Sequence, residues 1–351
     1  MHMQTLLKEE LEIKLDANEA DESLWDNSEL WQIGELLKGM NRYPDPYNIK
    51  FKHKLINRIF CKEGLVFTVD QMIIGNGSDE LIKLVMESFF SDKKTSFAAE
   101  PAFSEYERLT RIVGGNIEKL VFDNLLIDVT AFISEVKSVK PDVVFFTNPQ
   151  NPTGQIFSLE EIESIVSAVE GIVVIDEAYI EFSNESALSL VAKYENLVVI
   201  RTLSKAFGLA GLRLGYAISN KKNIDKMNDN KLAYNISCLS ETVGYYALDY
   251  EKRIENYIEQ VVKVRNLAVK QLSEIKDLEV YESSANFVLF TFEEWETYQT
   301  FKCNVEKSPI RLRFFDEGPE KLKRSVRITI TNLDAYEAFY RTLKESCNYE
   351  N

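Results

Sequence analysis

Five short apolar runs, at residues 71–74, 95–99, 142–147, 172–175 and 197–200, restrict what this chain can fold into more than any other feature. The run Ile172-Val173-Val174-Ile175 is typical: it has no polar side chain to offer to water on either face. Strands of that kind must be covered on both sides. Amphipathic stretches at 79–90, 104–113, 130–138 and 159–169 separate the runs and supply the covering helices. The pattern predicts an α/β fold with a mainly parallel sheet between two helical layers.

The residues just after each run are equally regular. The exits are Gly75-Asn76-Gly77-Ser78-Asp79-Glu80, Glu100-Pro101-Ala102-Phe103, Asn148-Pro149-Gln150-Asn151-Pro152-Thr153-Gly154, Asp176-Glu177-Ala178-Tyr179 and a segment around Lys205. Open α/β sheets bind ligands at the carboxyl ends of their strands, so these exits are expected to share one site. Beyond about residue 240 the text changes to a long charged helix (241–275), strands at 278–281, 287–290 and 326–330, and a helix at 335–345. This reads as a smaller α+β domain (241–351) beside a large domain (41–240), with residues 1–40 as an arm that contributes to the small one.

Composition removes several function classes. Lys and Arg total 41 against 56 acidic residues, and the net charge of −15 repels a phosphodiester backbone. No apolar run approaches the ~18 residues of a membrane span, and the opening Met-His-Met-Gln-Thr-Leu-Leu-Lys-Glu-Glu turns acidic too early for a signal peptide. With only His2 and His53, neither a Ser-His-Asp triad nor a multi-histidine metal site is expected, and no metal is assigned. Cys61, Cys238, Cys303 and Cys347 form no Cys-x-x-Cys and fit free thiols in a reducing cytoplasm.

The segment Arg201-Thr202-Leu203-Ser204-Lys205-Ala206-Phe207-Gly208-Leu209-Ala210-Gly211-Leu212-Arg213 carries the chemistry. A lysine at the end of a buried strand is partly desolvated, which favours its neutral, nucleophilic amine. Thr202, Ser204 and Arg213 are the donors a phosphate needs, and Gly77, Ser78 and Asp79 open a helix whose backbone N–H groups add more. Glu80 stands where a dinucleotide fingerprint needs its third glycine, and no Gly-Lys-Ser/Thr comes after it for a P-loop. A lysine beside a phosphate site points to a cofactor with both an aldehyde and a phosphate, pyridoxal 5′-phosphate. Asp176 suits a protonated ring nitrogen, Tyr179 a ring oxygen and Phe103 a stacked ring, and the proline-stiffened turn can hold the Asn151 amide at a ligand. Taken singly, each has an ordinary reading: a helix cap, a salt bridge, a stiff turn, a core aromatic. Arg313 and Arg327, amid apolar neighbours, read either as anion-binding forks or as edge-strand arginines facing water.

Together these residues resemble the fold-type I pyridoxal-phosphate aminotransferases, and within them the histidinol-phosphate aminotransferase family. The resemblance rests on Asp176-Glu177-Ala178-Tyr179-Ile180-Glu181-Phe182, on Leu203 to Tyr216, and on shorter matches at Asn18-Glu19, Arg42-Tyr43-Pro44-Asp45, Ala285-Asn286-Phe287 and Val326 to Ile330. It implies that Lys205 carries the cofactor as a Schiff base and shuttles the Cα proton of a ping-pong transamination. It implies Asp176, Tyr179, Asn151 and Phe103 around the ring, with Gly77, Ser78, Asp79, Thr202, Ser204 and Arg213 around the phosphate. Tyr43 would reach the phosphate in a neighbouring subunit of a homodimer, while Asn18, Arg313 and Arg327 would meet the amino donor or the 2-oxo acid. Departures fall on the substrate side: Asn18-Glu19-Ala20-Asp21 replaces the usual Asn-Glu-Asn-Pro, and Thr331 replaces a glycine. Threonine-phosphate decarboxylases and aromatic amino-acid aminotransferases share the same lysine logic.

Overall fold

The computed structural model describes residues 13–20, 22–25, 40–60, 64–122, 124–183, 185–316 and 319–347; His2, Asp21 and Cys61 lie outside them. In chain order the strands are β1 (Ile13–Leu15), β2 (Met72–Asn76), β3 (Thr95–Glu100), β4 (Asn116–Val121), β5 (Val143–Thr147), β6 (Ile172–Asp176), β7 (Leu197–Thr202), β8 (Leu214–Ile218), β9 (Leu278–Val280), β10 (Phe287–Phe292), β11 (Ile310–Phe314) and β12 (Ser325–Thr329). The helices are α1 (Ile49–Leu55), α2 (Gly77–Phe89), α3 (Ser104–Ile112), α4 (Val129–Val139), α5 (Leu159–Ala168), α6 (Lys221–Asn230), α7 (Cys238–Ala247), α8 (Glu251–Ser273), α9 (Trp295–Glu306) and α10 (Leu333–Ser346).

The larger sheet has seven strands in the order β2-β8-β7-β6-β5-β3-β4, and β8 alone runs against the rest. Strand side chains alternate between faces. Val143 and Phe145 of β5 therefore join Ile82, Tyr106 and Met227 on one face, while Val144 and Phe146 join Phe132 and Ile162 on the other. Both faces are covered, as continuous apolar strands require. Helix α5 shows how the cover is made. Ser158 and Glu161 cap its first turn reciprocally, and Ile162, Ile165 and Val166 recur on its inner side. Each of these buried side chains contributes about 1.5–3 kcal/mol.

The smaller sheet runs β1-β11-β12-β10-β9. Strand β1 lies parallel to β11, with Ile13 opposite Ile310, so the start of the described chain is stitched to its far end. That pairing carries Asp16 to Asn18 toward the lysine segment.

Three sequence expectations change. The helix expected over 241–275 is two helices, α7 and α8. Between them the backbone tightens to i→i−3 bonds at Asp249 and Tyr250. There the Asp249 carboxylate leaves the helical path to accept from Lys54 (2.6 Å) and Arg58 (2.7 Å). Strand β4 was not expected, because its Asn-Ile-Glu-Lys-Leu-Val is an exposed edge strand with as many polar as apolar residues. Finally, Arg313 does not sit in apolar surroundings: β11 alternates, burying Ile310 and Leu312 and exposing Arg311 and Arg313.

Candidate active site

The exits of β2, β3, β5, β6 and β7 open on one edge of the large sheet, because these strands run parallel. At the β7 exit, Lys205 lies in a turn closed by the bond from Gly208 N–H to the Lys205 carbonyl (3.0 Å). Its Nζ donates to the carbonyl of Ala17 (2.9 Å) and stands 5.9 Å from the centre of the Tyr179 ring. Burial, and then the charge of Arg327, pull the ammonium down to about 8. The amine is thus far easier to deprotonate than an ordinary lysine.

Beside it, β8 and the start of α2 come unusually close. Gly75 pairs with Gly215 across the two strands, and a Cβ on Gly215 would lie 2.7 Å from Gly77 C and Ser78 N. Gly77 has φ +76° and donates its N–H to the Arg213 carbonyl (2.8 Å); a Cβ there would sit 2.4 Å from Arg213 Nη2, so the guanidinium would have to move. Arg213 itself donates to Asp79 (2.9 Å). A guanidinium packed on the positive end of a helix is an anion-binding arrangement. Thr202 and Ser204, both buried, close the corner; Thr202 Oγ1 donates to Ser204 Oγ (2.9 Å) and accepts from its backbone N–H (3.1 Å).

Asp176 ends β6 with 3% of its surface exposed. Its carboxylate accepts from the Tyr106 hydroxyl (2.7 Å) and from Ala178 N–H (3.1 Å), and no cation among the described residues pairs with it. Burial raises it to about 6 despite both hydrogen bonds. The next residue, Glu177, is paired inside the protein with Arg201 (2.8 Å) and also accepts from Ala187 N–H (2.6 Å). That pair ties the β6 exit to the β7 exit that leads to Lys205.

Tyr179, Asn18, Asn151 and Arg327 form one buried network. The Tyr179 hydroxyl accepts from Asn18 Nδ2 (3.1 Å) and Asn151 Nδ2 (3.3 Å). Arg327 Nη1 donates to Asn151 Oδ1 (2.7 Å), and Nη2 to the Asp16 carbonyl (2.8 Å). Its Nε has no hydrogen-bond partner among the described residues although the residue is only 8% exposed. Arg327 is therefore no edge-strand arginine facing water. Strand β12 is interior to its sheet, and the guanidinium points into the site. Arg313 is its registered neighbour on β11. Asn18 has φ +54° and is also held by Thr329 and Asn286 (2.9 and 3.1 Å).

The other expected residues divide. Phe103 opens α3, half-buried, with its ring edge-to-face on Tyr106 at 5.6 Å. Tyr43 is not drawn into the site of its own chain. It is 81% exposed and stacks on Tyr234 at 4.6 Å. Sequence reading missed Tyr106, Thr147, Thr329 and Asn286. The first sits inside an ordinary amphipathic helix, where nothing local separates a core tyrosine from one that touches a carboxylate.

Comparison with known proteins gives the family and the fold. The family described as aminotransferase class I and II matches residues 17–336. A histidinol-phosphate aminotransferase of Caldanaerobacter subterraneus is 35% identical over 335 residues, covering 95% of this chain and 92% of that protein. The crystal structure of the histidinol-phosphate aminotransferase from Clostridium acetobutylicum superposes with a TM-score of 0.83 at 25% identity, covering 95% of this chain and 99% of that one. L-threonine-O-3-phosphate decarboxylase from Porphyromonas gingivalis shares the fold (TM-score 0.80, 19% identity, 96% and 99% covered). The chain belongs to the class I and II aminotransferase family, the fold-type I pyridoxal-phosphate-dependent enzymes.

Proposed function

We propose that this protein transfers an amino group from histidinol phosphate to 2-oxoglutarate, with pyridoxal phosphate held on Lys205. The observation that carries the cofactor reading is a buried carboxylate without a cation on the same sheet edge as an anion-binding corner, where Arg213 shares its guanidinium with Asp79. Asp176 is a buried carboxylate without a cation, and the α2–Arg213 corner is a cationic cradle in which even a methyl group at Gly77 would clash. A protonated ring nitrogen and a phosphate answer both. When bound, pyridoxal phosphate supplies an aldehyde carbon for an amine and a ring that withdraws electrons from the substrate's Cα–H bond.

The chain's own residues divide the work. Lys205, half neutral near pH 8, holds the cofactor and carries the Cα proton. Asp176 holds the ring nitrogen, Tyr179 and Asn151 its oxygen, and Phe103 one face. Gly77, Ser78, Asp79, Thr202, Ser204 and Arg213 hold the phosphate. Arg327, Arg313 and Asn18 receive the substrate's anionic groups. Two arginines opposed across neighbouring strands repel one another, and an anion between them removes that cost. The names of the curated relatives support histidinol phosphate as the amino donor. Exposed Met40, Tyr43, Tyr47, Leu232 and Tyr234 support a homodimer in which Tyr43 serves the partner's site. The domain division at residues 40 and 240, and a cytoplasmic location, belong to the same reading.

Gly77→Ala should weaken retention of the cofactor by about tenfold or more, since the new methyl displaces Arg213 and strains a positive φ; equilibrium dialysis measures it. The substrate is tested by adding histidinol phosphate alone to the yellow enzyme. Loss of the visible band, restored by 2-oxoglutarate, is expected. Indifference to that amine, with bleaching by an aromatic amino acid or carbon dioxide release from threonine phosphate, would overturn the substrate assignment.

A further inference from the structure

Strand β5 places Phe145 and Thr147 two residues apart, hence on the same face. Tyr106, reaching down from α3, lies along that face. Its ring stacks flat on Phe145 (4.6 Å between centres, 8° between planes), and its hydroxyl meets Thr147 Oγ1 at 2.8 Å. Thr147 is the registered partner of Asp176 on β6, so the same hydroxyl arrives at the Asp176 carboxylate, 2.7 Å away. An ionised carboxylate only accepts. Tyr106 must therefore donate to Asp176, and Thr147 to Tyr106, which fixes the direction of the chain Thr147 → Tyr106 → Asp176. All three residues are at most 3% exposed.

We propose that Tyr106 is a positioning residue for the reaction: it orients the Asp176 carboxylate and keeps it ionised where a protonated ring nitrogen must be held. This rests on the cofactor reading given above. The other titratable groups facing Asp176 work against its ionisation. Asp79 of α2 and Glu177 at the β6 exit both raise it electrostatically, and Glu177 already occupies Arg201. Tyr179, deep beside them, carries no compensating charge. Burial and the Asp176 charge in turn push the Tyr106 phenol well up, so it stays protonated and able to donate. The Tyr106 hydroxyl is the one side-chain donor to Asp176 among the described residues.

Linkage sets the sign of the consequence. In the folded chain Asp176 titrates near 6 against an ordinary 3.8, so the native state holds more protons than the unfolded state between those values. Its contribution to stability is present below about pH 4 and is lost as pH rises to about 6. Tyr106→Phe keeps the ring on Phe145 and removes the donor, so this loss should extend upward by about one pH unit. The test compares urea midpoints against pH for cofactor-free wild type, Tyr106→Phe, Asp176→Asn and the double variant. The expected result is an upward move of the titration in Tyr106→Phe that vanishes in the Asp176→Asn background. In the loaded enzyme, Tyr106→Phe should lower kcat about tenfold with KM little changed and shift the acid limb of the rate profile upward. A destabilisation by Tyr106→Phe that is the same at every pH, with no upward move of the titration, or an upward move that persists in the Asp176→Asn background, would make Tyr106 a packing residue and overturn the proposal. Failure to take up pyridoxal phosphate would instead defeat the cofactor reading, and the cofactor-free measurement would still decide the Tyr106–Asp176 link.

Discussion

Lys205→Ala is expected to lower turnover roughly 10³-fold or more, within the range lost with a positioned acid–base group, while the fold survives. The size depends on what else the site offers. His2 is outside the described residues, and His53 is exposed on α1, so its imidazole is no substitute at the sheet edge. Tyr179 lies under the Lys205 amine, but burial raises its phenol and it serves as acceptor to Asn18 and Asn151. Among the described residues, no neighbouring group is poised to take over the proton. The structural cost is small by comparison. Lys205 contributes one hydrogen bond, to Ala17, and its removal relieves a desolvated charge. The defect should therefore appear in kcat, with the melting temperature near that of wild type. Partial rescue by a small primary amine would show that the missing group is the amine itself. Substantial transamination by the variant would remove Lys205 from the chemistry.

The second large effect is expected at Arg327. Its guanidinium is held on two sides, by Asn151 and the Asp16 carbonyl, with Nε unpaired and Phe287 5.3 Å beneath. Burial already presses on its charge. A cation kept under those conditions, opposite a second arginine, gains most from an anionic ligand. Arg327→Gln should cost about 2–4 kcal/mol in transition-state binding, roughly 30- to 1,000-fold in kcat/KM. Arg327→Lys keeps the charge and loses the planar fork, so it should recover only part of that. If the loss is instead confined to stability, with kcat/KM for both substrates unchanged, Arg327 is a domain tie and not a substrate residue.

The cofactor side was legible because its residues occupy strand exits. Apolar runs such as 172–175 and 197–200 stop abruptly at Asp176 and at the lysine segment, and a parallel sheet sends those stops to one edge. The resemblance then gave each one a role. What the sequence left open is which face of an element a residue presents. Arg313 and Arg327 read alike in sequence and share a face by register, yet Arg313 is exposed on the alternating β11 while β12 is buried along its length. Tyr106 was hidden by its helix, and Thr147 by its place as the last residue of an apolar strand. The reversed direction of β8 depends on its partners β2 and β7, not on its own composition. The α7–α8 break coincides with the Asp249 ion pairs to Lys54 and Arg58, nearly two hundred residues earlier, at a point where helical periodicity simply continues.

The central claim is that this sheet edge holds pyridoxal phosphate on Lys205. The most direct measurement adds the cofactor to cofactor-free protein, reduces the adduct with borohydride and maps it by peptide mass across a pH series. One modified lysine, Lys205, is expected, with formation rising through about pH 8, where its amine loses the proton. Modification spread over surface lysines, or none at all, would contradict the claim.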